Sequence, residues 1–491
     1  MKQIEREARA PKEEELRLLQ SYSGFGGLSD VFDPKNSRWK DEYDALRKEL
    51  TQEEYDAVRA SILDAYYTPP EVVEAIYEGL QHFGFHGGNI LEPSCGAGRF
   101  FHSIPPELRV RSNLYGVELD PISARIAYAA YPDATIAQQG FETTRFPEDS
   151  FDLAIGNVPF GEQVIIADEK YAGDGLKIHE YFLQKMLDEV RPGGMVAAIT
   201  SRYTMDKQSE KFRRSLADRA YLVTAIRLPQ TTFEGAGTSV TTDILILRKK
   251  NGRVSEKEAE AMESGHPLLP STAEWCWSNL PFRIGDERNV DGHHINRFFT
   301  DKHSKNVLGS FALRRGPHGS EVSVLPHEGT DLKNEILSVF HEAPRGVFWQ
   351  DAETPLPIPQ QAKAPDHRPM GFYQENNWLI YVDAQGKVTS PDLPDVTRSR
   401  VLSAVRLRDA GHKILAIQHQ GCSDEELQAK QYQLRALYQE HVRKFGRIAK
   451  DKALKSAFAI DPGYNFLRAF EIKDEKENFR FNHFSCGMND A

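Results

Sequence analysis

The chain has 491 residues, of which 40% are hydrophobic and 27% are charged, and its formal net charge is -11 at pH 7. This length exceeds the size at which one hydrophobic core keeps growing, so we expect two or more domains. The composition excludes a fibrous or largely disordered chain, and the acidic balance argues against nucleic-acid binding by the surface as a whole.

Charged residues interrupt the N-terminal segment MKQIEREARAPKEEELRLL throughout, which argues against a signal peptide. No window approaches the roughly 18 continuous apolar residues of a membrane span. We therefore expect a cytoplasmic protein without a membrane partner. The four cysteines form no CxxC pair, so we expect neither a zinc site nor a disulfide framework.

Two patterns fill the first half of the chain. Apolar residues recur at helical spacing between residues 13 and 65, broken by the glycine-rich SYSGFGGLSDVFD, and predict a helical N-terminal arm over residues 1–64. Over residues 65–250, short β-rich runs alternate with longer amphipathic ones. This alternation predicts βαβ units and a mostly parallel sheet. The runs are NILEP, LYGVEL, DLAIGN, MVAAIT, LVTAIRL and DILILRK.

The second half is less regular. We expect a mixed region over residues 251–349, a candidate for DNA contacts, and a proline-rich linker over residues 350–371. The periodic DEELQAKQYQLRALYQEHVRKFG predicts a small helical module within residues 372–491. His293, His294 and His303 cluster, but without cysteines or an HExxH spacing they indicate no metal site.

The stretch ILEPSCGAGRF has the pattern of a strand that turns into a helix. Glycines at such a turn, here Gly96 and Gly98, let the backbone approach a ligand, although many tight turns carry glycines without one. Glu118 ends the next apolar run, where the acid of a nucleotide-binding fold accepts hydrogen bonds from ribose hydroxyls. The carboxylate of Glu92 repels phosphate but suits a cationic sulfonium, so the pattern favours S-adenosylmethionine over NAD.

Four motifs in this order resemble those of adenine-N6 DNA methyltransferases with the gamma-type motif order. They are Tyr67-Thr68-Pro69, Glu92-Pro93-Ser94-Cys95-Gly96-Ala97-Gly98, Glu118 and Asn157-Val158-Pro159-Phe160. Longer stretches, such as YSGFGGLSDVFD and AIRLPQTTFEGAGTSVTTDILIL, resemble the methyltransferase segment of helicase-methyltransferase polyproteins of mobile elements.

The resemblance implies an α/β fold: a Rossmann-like class I S-adenosylmethionine-dependent methyltransferase sheet of seven strands, with an antiparallel final hairpin formed by LVTAIRL and DILILRK. A helical N-terminal arm and a smaller, mainly helical C-terminal region flank this sheet. The resemblance also implies DNA as partner, and a SNF2-type helicase in trans or within a longer related polypeptide. The implied cofactor-binding residues are Tyr67, Thr68, Glu92, Pro93, Gly96, Gly98 and Glu118, with Phe141 as an apolar wall for the cofactor's adenine.

The tetrapeptide Asn157-Val158-Pro159-Phe160 suits the chemistry of an exocyclic amine, whose lone pair is delocalised into the ring. The Asn157 side-chain oxygen and the Val158 carbonyl can accept both N–H bonds and free the lone pair. Pro159 stiffens the turn, and Phe160 can stack on a base rotated out of the duplex. The family often has proline where Val158 stands, but the role there belongs to a main-chain carbonyl.

Phe233 lies where the family has a loop facing the flipped base, so we consider it a second stacking partner or a core residue. We predict a site-specific DNA methyltransferase that acts on adenine N6, as in restriction-modification. Two alternatives remain. A protein methyltransferase acting on glutamine N5 faces the same lone-pair problem, and a catalytically silent DNA-binding module keeps the same fold.

Overall fold

The structure is a computed structural model in which a seven-stranded sheet has the order β3-β2-β1-β4-β5-β7-β6. The residues described are 1–7, 11–62, 67–250, 279–284, 288–300, 304–316, 319–348, 368–375, 378–384, 386–389, 391, 393–420, 423–473 and 479–481. The seven strands are β1 (Gly88–Glu92), β2 (Ser112–Glu118), β3 (Thr135–Gln138), β4 (Phe151–Asn157), β5 (Val190–Ser201), β6 (Ala220–Arg227) and β7 (Thr242–Lys249).

Strand directions in this sheet match the expectation. β1 runs parallel to β4, with Ile90 beside Leu153, and β4 runs parallel to β5. β7 lies between β5 and β6 and is antiparallel to both, which confirms the antiparallel final hairpin. The short strand β3, which pairs in parallel with β2, was not predicted from the sequence.

Helices precede and follow these strands. The N-terminal arm is helical as predicted, with α1 to α4, and α9 connects β4 to β5. Bounds are α1 (Lys2–Glu7), α2 (Glu13–Gln20), α3 (Lys40–Glu49), α4 (Gln52–Ser61), α5 (Pro70–His82), α6 (Arg99–His102), α7 (Pro106–Arg109), α8 (Pro121–Ala130), α9 (Ile178–Glu189), α10 (Tyr203–Asp206), α11 (Lys211–Arg219), α12 (Leu332–Glu342), α13 (Asp395–Gln420), α14 (Asp424–Phe445), α15 (Lys452–Ala457) and α16 (Tyr464–Arg468).

One compact unit of the chain comprises Ser23–Ser112 and Phe151–Ile358. Its core lies on β1, β4, β5 and β7, whose apolar side chains are almost fully buried. Helix α5 packs against α12 at Gly79, where a Cβ atom would lie 2.4 Å from the ring of Phe340. A glycine inside a helix costs stability, and here the close approach of the ring explains it.

Two hairpins of the mixed region belong to the same unit. They are β8 (Asn279–Ile284) with β9 (Arg288–Asn296), and β10 (Ser310–Gly316) with β11 (Gly319–Leu325). At the end of β9, the Asn296 amide donates to Asp206 Oδ1 at 2.9 Å. On β11, the Val324 amide donates to Thr241 Oγ1 at 3.1 Å, and Ser323 Oγ donates to Gln230. The mixed region therefore supports the residues that flank β6 and β7.

The other compact unit comprises Met1–Tyr22, Asn113–Ser150 and Pro359–Ala491. Its long helices α13 and α14 share a core that includes Val401, Leu434 and Phe372. The predicted helical module also contains strands, namely β12 (Gly371–Glu375), β13 (Trp378–Val382), β14 (Val388–Thr389), β15 (Glu471–Lys473) and β16 (Phe479–Phe481). Most of the predicted linker, residues 350–367, lies outside the described residues. Among the helices described, none combines the length and apolar character that a membrane crossing requires.

Candidate active site

The glycine loop follows β1 and is shaped by two left-handed glycines. Gly96 has φ +54° and Gly98 has φ +85°, a region that favours glycine. A Cβ atom at Gly96 would lie 2.9 Å from the Tyr67 hydroxyl oxygen, and that oxygen accepts a hydrogen bond from the Ala97 amide at 3.2 Å. The structure thus brings Tyr67 against the glycine loop.

Glu92 ends β1 directly before this loop, and its side chain is only 2% exposed. Burial raises the pKa of the Tyr77 hydroxyl, and the nearby charge of Glu92 raises it further. On the neighbouring strand β4, a Cβ atom at Gly156 would lie 3.6 Å from Glu92 Cγ. A buried carboxylate therefore lies beneath the loop, between Tyr77 and the end of β4. Thr68 and Pro93, the remaining predicted residues of this part, are also buried.

The predicted acceptor turn begins where β4 ends, at Asn157. Ser94 Oγ donates to the Asn157 backbone carbonyl at 3.0 Å, which joins the turn to the glycine loop. The Val158 amide donates to the Ile199 carbonyl of β5 at 3.0 Å, and the Val158 side chain is buried. This bond needs an N–H, which explains what valine contributes where the family often has proline. Pro159 and Phe160 are half-buried.

The segment after this turn is fastened to α9. The Ile178 amide donates to the Gln163 carbonyl at 2.8 Å, and Lys177 forms an ion pair with Glu162. Further along, Asp168 accepts from Lys185 Nζ at 2.9 Å. Asp168 also accepts from the Tyr181 hydroxyl at 2.9 Å, and all three side chains are buried. The loop over residues 161–177 is therefore held against the helix by polar contacts from its beginning to its middle.

Glu118 and Phe141 lie in the unit that contains β2 and β3. Glu118 ends β2 and its Oε1 accepts from the Asp120 amide at 2.7 Å, while Asp120 caps α8 through the Ser123 amide at 2.8 Å. Burial raises the pKa of Tyr22, and the charge of Asp120 raises it further. Because Tyr22 closely follows helix α2, the end of that helix lies beside Asp120. Phe141 is buried in a short 3-10 turn after β3.

Phe233 lies in the 3-10 segment Gln230–Ala236 and is 1% exposed, so its ring shows no face to solvent. The segment ends at Gly237, whose backbone touches that of Gly27. A Cβ atom at Gly27 would lie 2.6 Å from Gly237 Cα, and one at Gly237 would lie 2.8 Å from Gly27 Cα. The glycine-rich N-terminal stretch therefore packs on the Phe233 segment by backbone contact.

Of the clustered histidines, His293 and His294 lie on β9 and His303 is outside the described residues. Within the described part of the chain, no three side chains of the metal-binding types come together.

Ser94 is a site residue that the sequence motifs did not single out. Its hydroxyl is the group that links the glycine loop to the Asn157 turn. The sequence offered one signal, since Ser94 stands between two predicted cofactor residues, Pro93 and Gly96. A serine in a loop is ordinary, however, and its partner lies 63 residues away.

Part of the chain matches one family model and known protein sequences. Residues 49–262 match the family described as N-6 DNA Methylase, a range that contains the glycine loop, the Asn157 turn and Phe233. Over 269 residues, or 48% of the chain, it is 29% identical to the defense against restriction protein B of Escherichia phage P1. It is also 34% identical over 95 residues, or 19% of the chain, to the type II methyltransferase M.CvrRI of Paramecium bursaria Chlorella virus XZ-6E.

The matched segments span 12% and 24% of the lengths of these two relatives. Among solved structures, a putative class I S-adenosylmethionine-dependent methyltransferase from Listeria monocytogenes aligns with a TM-score of 0.35 and 14% identity, over 51% of this chain and 89% of that one. The fold is mixed α/β as expected, with a central seven-stranded sheet, an antiparallel final hairpin and a helical C-terminal region.

Proposed function

We propose that the chain transfers a methyl group from S-adenosylmethionine to N6 of adenine in DNA. One observation carries the proposal. The glycine loop and the Asn157 turn follow two neighbouring parallel strands, and the Ser94 hydroxyl bonds them at 3.0 Å. Because carboxyl ends of parallel neighbours meet at one edge of a sheet, a ligand held by the loop lies beside the turn.

The residues of the loop fit S-adenosylmethionine. Gly96 and Gly98 remove side chains where a ligand must approach the backbone, and Tyr67 holds the loop in that shape. The buried Glu92 carboxylate would attract the positive charges at the methionine end. When bound, the cofactor supplies an electrophilic methyl group on a sulfonium. Thr68, Pro93, Glu118 and Phe141 complete the proposed set, with Glu118 assigned to the ribose hydroxyls.

The Asn157 turn supplies the groups that would bind the methyl acceptor. Asn157 Oδ1 and the Val158 carbonyl would accept both hydrogens of the adenine amine and make its lone pair available for attack. The amide bond from Val158 to Ile199 fixes the direction of the turn, and Pro159 limits its motion. Phe160 would stack on the base. Phe233 is proposed as a second contact, which requires movement of its 3-10 segment because the ring is buried.

The test is incubation of the protein with radiolabelled S-adenosylmethionine and unmethylated duplex DNA, followed by identification of the labelled base. We expect N6-methyladenine from the wild-type protein. Asn157→Ala is expected to bind the cofactor with unchanged affinity and to lose activity by roughly a hundredfold or more, as for removal of a transition-state contact.

Other outcomes would select other functions. Label on a glutamine side chain of an added protein, with none on DNA, would favour glutamine-N5 methylation. DNA binding by a cofactor-saturated protein without any transfer would favour a silent accessory module. The likeness to a phage protein supports a mobile-element source and a role near restriction-modification. A helicase partner stays a prediction, testable by adding such a protein and ATP to the same assay.

A further inference from the structure

His179 lies at the same edge of the sheet as the Asn157 turn. It is the second residue of α9, and α9 connects β4 to β5. Since β4 and β5 are parallel, the connecting helix must begin near the end of β4 and run back along the sheet. The first turn of α9 therefore stands where β4 delivers Asn157.

Contacts place this first turn directly against the segment that follows Phe160. The amide of Ile178 donates to the Gln163 carbonyl at 2.8 Å, and a Cβ atom at Gly161 would lie 3.7 Å from Ile178 Cγ2. Lys177 pairs with Glu162. Ile178 and Lys177, the two residues that precede His179, therefore both contact the segment 161–163.

The His179 ring is buried, with 3% of the residue exposed, and neither Nδ1 nor Nε2 has a hydrogen-bond partner among the residues that the structure describes. Two other buried polar side chains of α9 are paired: Glu180 accepts from Lys207 Nζ at 2.7 Å, and Lys185 donates to Asp168 at 2.9 Å. Gln184 Oε1 of the same helix is also buried without a partner among the described residues, but in His179 both ring nitrogens are.

Burial lowers the pKa of His179. The charges of Glu180 and Glu162 raise it, and those of Lys177 and Lys207 lower it. The ring is accordingly neutral at neutral pH, with one nitrogen that donates and one that accepts. A neutral ring whose two polar atoms are unpaired costs folding free energy, and an apolar ring of similar shape would avoid that cost. Folding alone gives no reason for a histidine here.

We propose that His179 is a positioning residue of the acceptor site, whose ring hydrogen-bonds the segment 159–163 when the acceptor is bound. The proposal rests on the proposed methyl transfer. In the acceptor-free protein the ring has no hydrogen-bond partner within the described part of the chain. When the acceptor binds, the turn moves toward the ring and the hydrogen bond forms. His179 acts through the turn rather than by touching the transferred methyl group.

The experiment compares His179→Phe, His179→Asn and wild type, with His441→Phe as a matched control. His441 is another buried histidine, but its Nδ1 bonds Ser403 Oγ at 3.0 Å in the C-terminal unit. Four quantities are measured: the unfolding midpoint, the affinity for S-adenosylmethionine, and kcat and KM for the methyl acceptor of the wild-type protein.

We expect His179→Phe to keep or raise the unfolding midpoint and to keep cofactor affinity, while kcat falls roughly tenfold, the equivalent of one lost hydrogen bond. His179→Asn, which restores one donor and one acceptor, should recover part of kcat. His441→Phe should lower the unfolding midpoint and leave kcat unchanged, because it loses a bond that exists in the folded protein.

A lower unfolding midpoint for His179→Phe would overturn the inference, since it would mean that the imidazole is needed for folding. Unchanged kcat and KM in His179→Phe would overturn it as well. Failure of the proposed function is distinct, because it appears in the wild-type protein as absence of methyl transfer to DNA. In that case the midpoint comparison still decides whether the ring serves folding.

Discussion

Ser94 connects two parts of the proposed site, the glycine loop and the Asn157 turn. Its main chain belongs to the glycine loop, and its hydroxyl holds the carbonyl of Asn157 at 3.0 Å. A side-chain bond to a backbone carbonyl stabilises a fold by about 1 kcal/mol, but here it also fixes the direction of the residue proposed to bind the acceptor. Loss of this bond should therefore affect catalysis more than folding.

We expect Ser94→Ala to reduce kcat roughly tenfold while the affinity for S-adenosylmethionine stays within about twofold, because only the Asn157 turn loses a support. Steady-state kinetics and calorimetric cofactor titration measure the two effects. Ser112→Ala is the matched control, since Ser112 Oγ also donates to a backbone carbonyl, that of Leu108, at 2.7 Å. Equal kcat values in the two variants would contradict the role assigned to Ser94.

Val158→Pro separates the two uses of its peptide unit. Proline keeps the carbonyl that would accept the amine but removes the N–H that donates to Ile199. We expect a loss of about 1 kcal/mol in the free energy of unfolding and a kcat within about fivefold of wild type. Urea unfolding and kinetics give the two numbers. A loss of activity comparable to that of Asn157→Ala would contradict this expectation and would mean that the bond from the Val158 amide to Ile199 is needed to hold the turn.

The Asn157 turn could be proposed from the sequence because the types of Asn157, Pro159 and Phe160 each suggest a use in binding an acceptor base. Ser94 and His179 were not predicted, since a loop serine and a helical histidine are common, and their importance depends on neighbours distant in sequence. Phe233 is the opposite case. The family resemblance suggested either a stacking partner or a core residue, and sequence alone could not tell that the ring is 1% exposed.

At the scale of elements, a buried ion network joins α10, β6, β7 and β9. Arg227 donates to Asp206 at 2.8 and 3.0 Å and to Asp243 at 2.8 and 2.9 Å, and the residue is 0% exposed. Burial alone would lower the pKa of Arg227, but the two carboxylates more than offset this and raise it. Asp206 also accepts from the Asn296 amide, so the network fastens the mixed region to the sheet.

We expect Arg227→Met to lower the free energy of unfolding by about 3–5 kcal/mol, because it removes the cation bonded to buried Asp243 and leaves buried Asp206 with Arg202 as its ion-pair partner. Chemical denaturation of the full chain measures the change. Arg214→Met is the comparison, since Arg214 pairs with Glu210 at the surface and should contribute about 0.5 kcal/mol or less. Similar losses in both variants would mean that the network is not the anchor we describe.

Helices α13 and α14 should respond to acid through His441. The pKa of this histidine is lowered from 6.5 to about 4, mainly by burial; the charge of Asp451 opposes the shift and the charge of Arg400 adds to it. The folded pKa is below the unfolded one, so the contribution to stability is complete above pH 6.5 and is lost as pH falls toward 4. The free energy of unfolding lost over this pH range is about 3 kcal/mol.

Hydrogen exchange in α13 and α14 between pH 7 and pH 4 tests this dependence, after correction for intrinsic exchange. We expect protection to fall over that window in wild type. His441→Asn can keep a bond to Ser403 but cannot titrate, so it should flatten the dependence. The same acid response in both proteins would assign it to other groups.

Small elements were the least predictable part of the fold. The long periodic segment α14 and the apolar strands β1, β4 and β7 follow from pattern. Strand β3 has four residues, and its pairing with β2 defines it, as in Tyr115 beside Thr135. The strands β12 to β14 form an antiparallel sheet that we did not predict. Short strands gain stability from their neighbours, and a local pattern does not contain those neighbours.

At the scale of the whole molecule, a net charge of -11 requires that any DNA contact be local. Binding by a limited set of cations should depend on salt concentration, with a slope that counts the phosphates contacted. The proposed chemistry also requires the target base to leave the duplex, at a cost of a few kcal/mol for a paired base and less for a mismatched one.

We therefore expect duplexes with a mismatch opposite the target adenine to bind more tightly than matched duplexes, by roughly tenfold or more, in the presence of a non-reactive cofactor analogue. Fluorescence anisotropy at several salt concentrations measures both quantities. A scrambled duplex with a mismatch away from the target provides the control. Equal affinity for target-mismatched and matched duplexes would argue against base flipping.

The contact between Gly27 and Gly237 limits how this protein can vary. Neither position has room for a Cβ atom, and each is closed by the backbone of the other. A substitution at one glycine therefore cannot be compensated by a smaller residue at the other position, because glycine is already the smallest residue. The N-terminal stretch and the Phe233 segment therefore have to change together in evolution, through backbone shifts or insertions. Substitution of one side chain at a time cannot alter this contact.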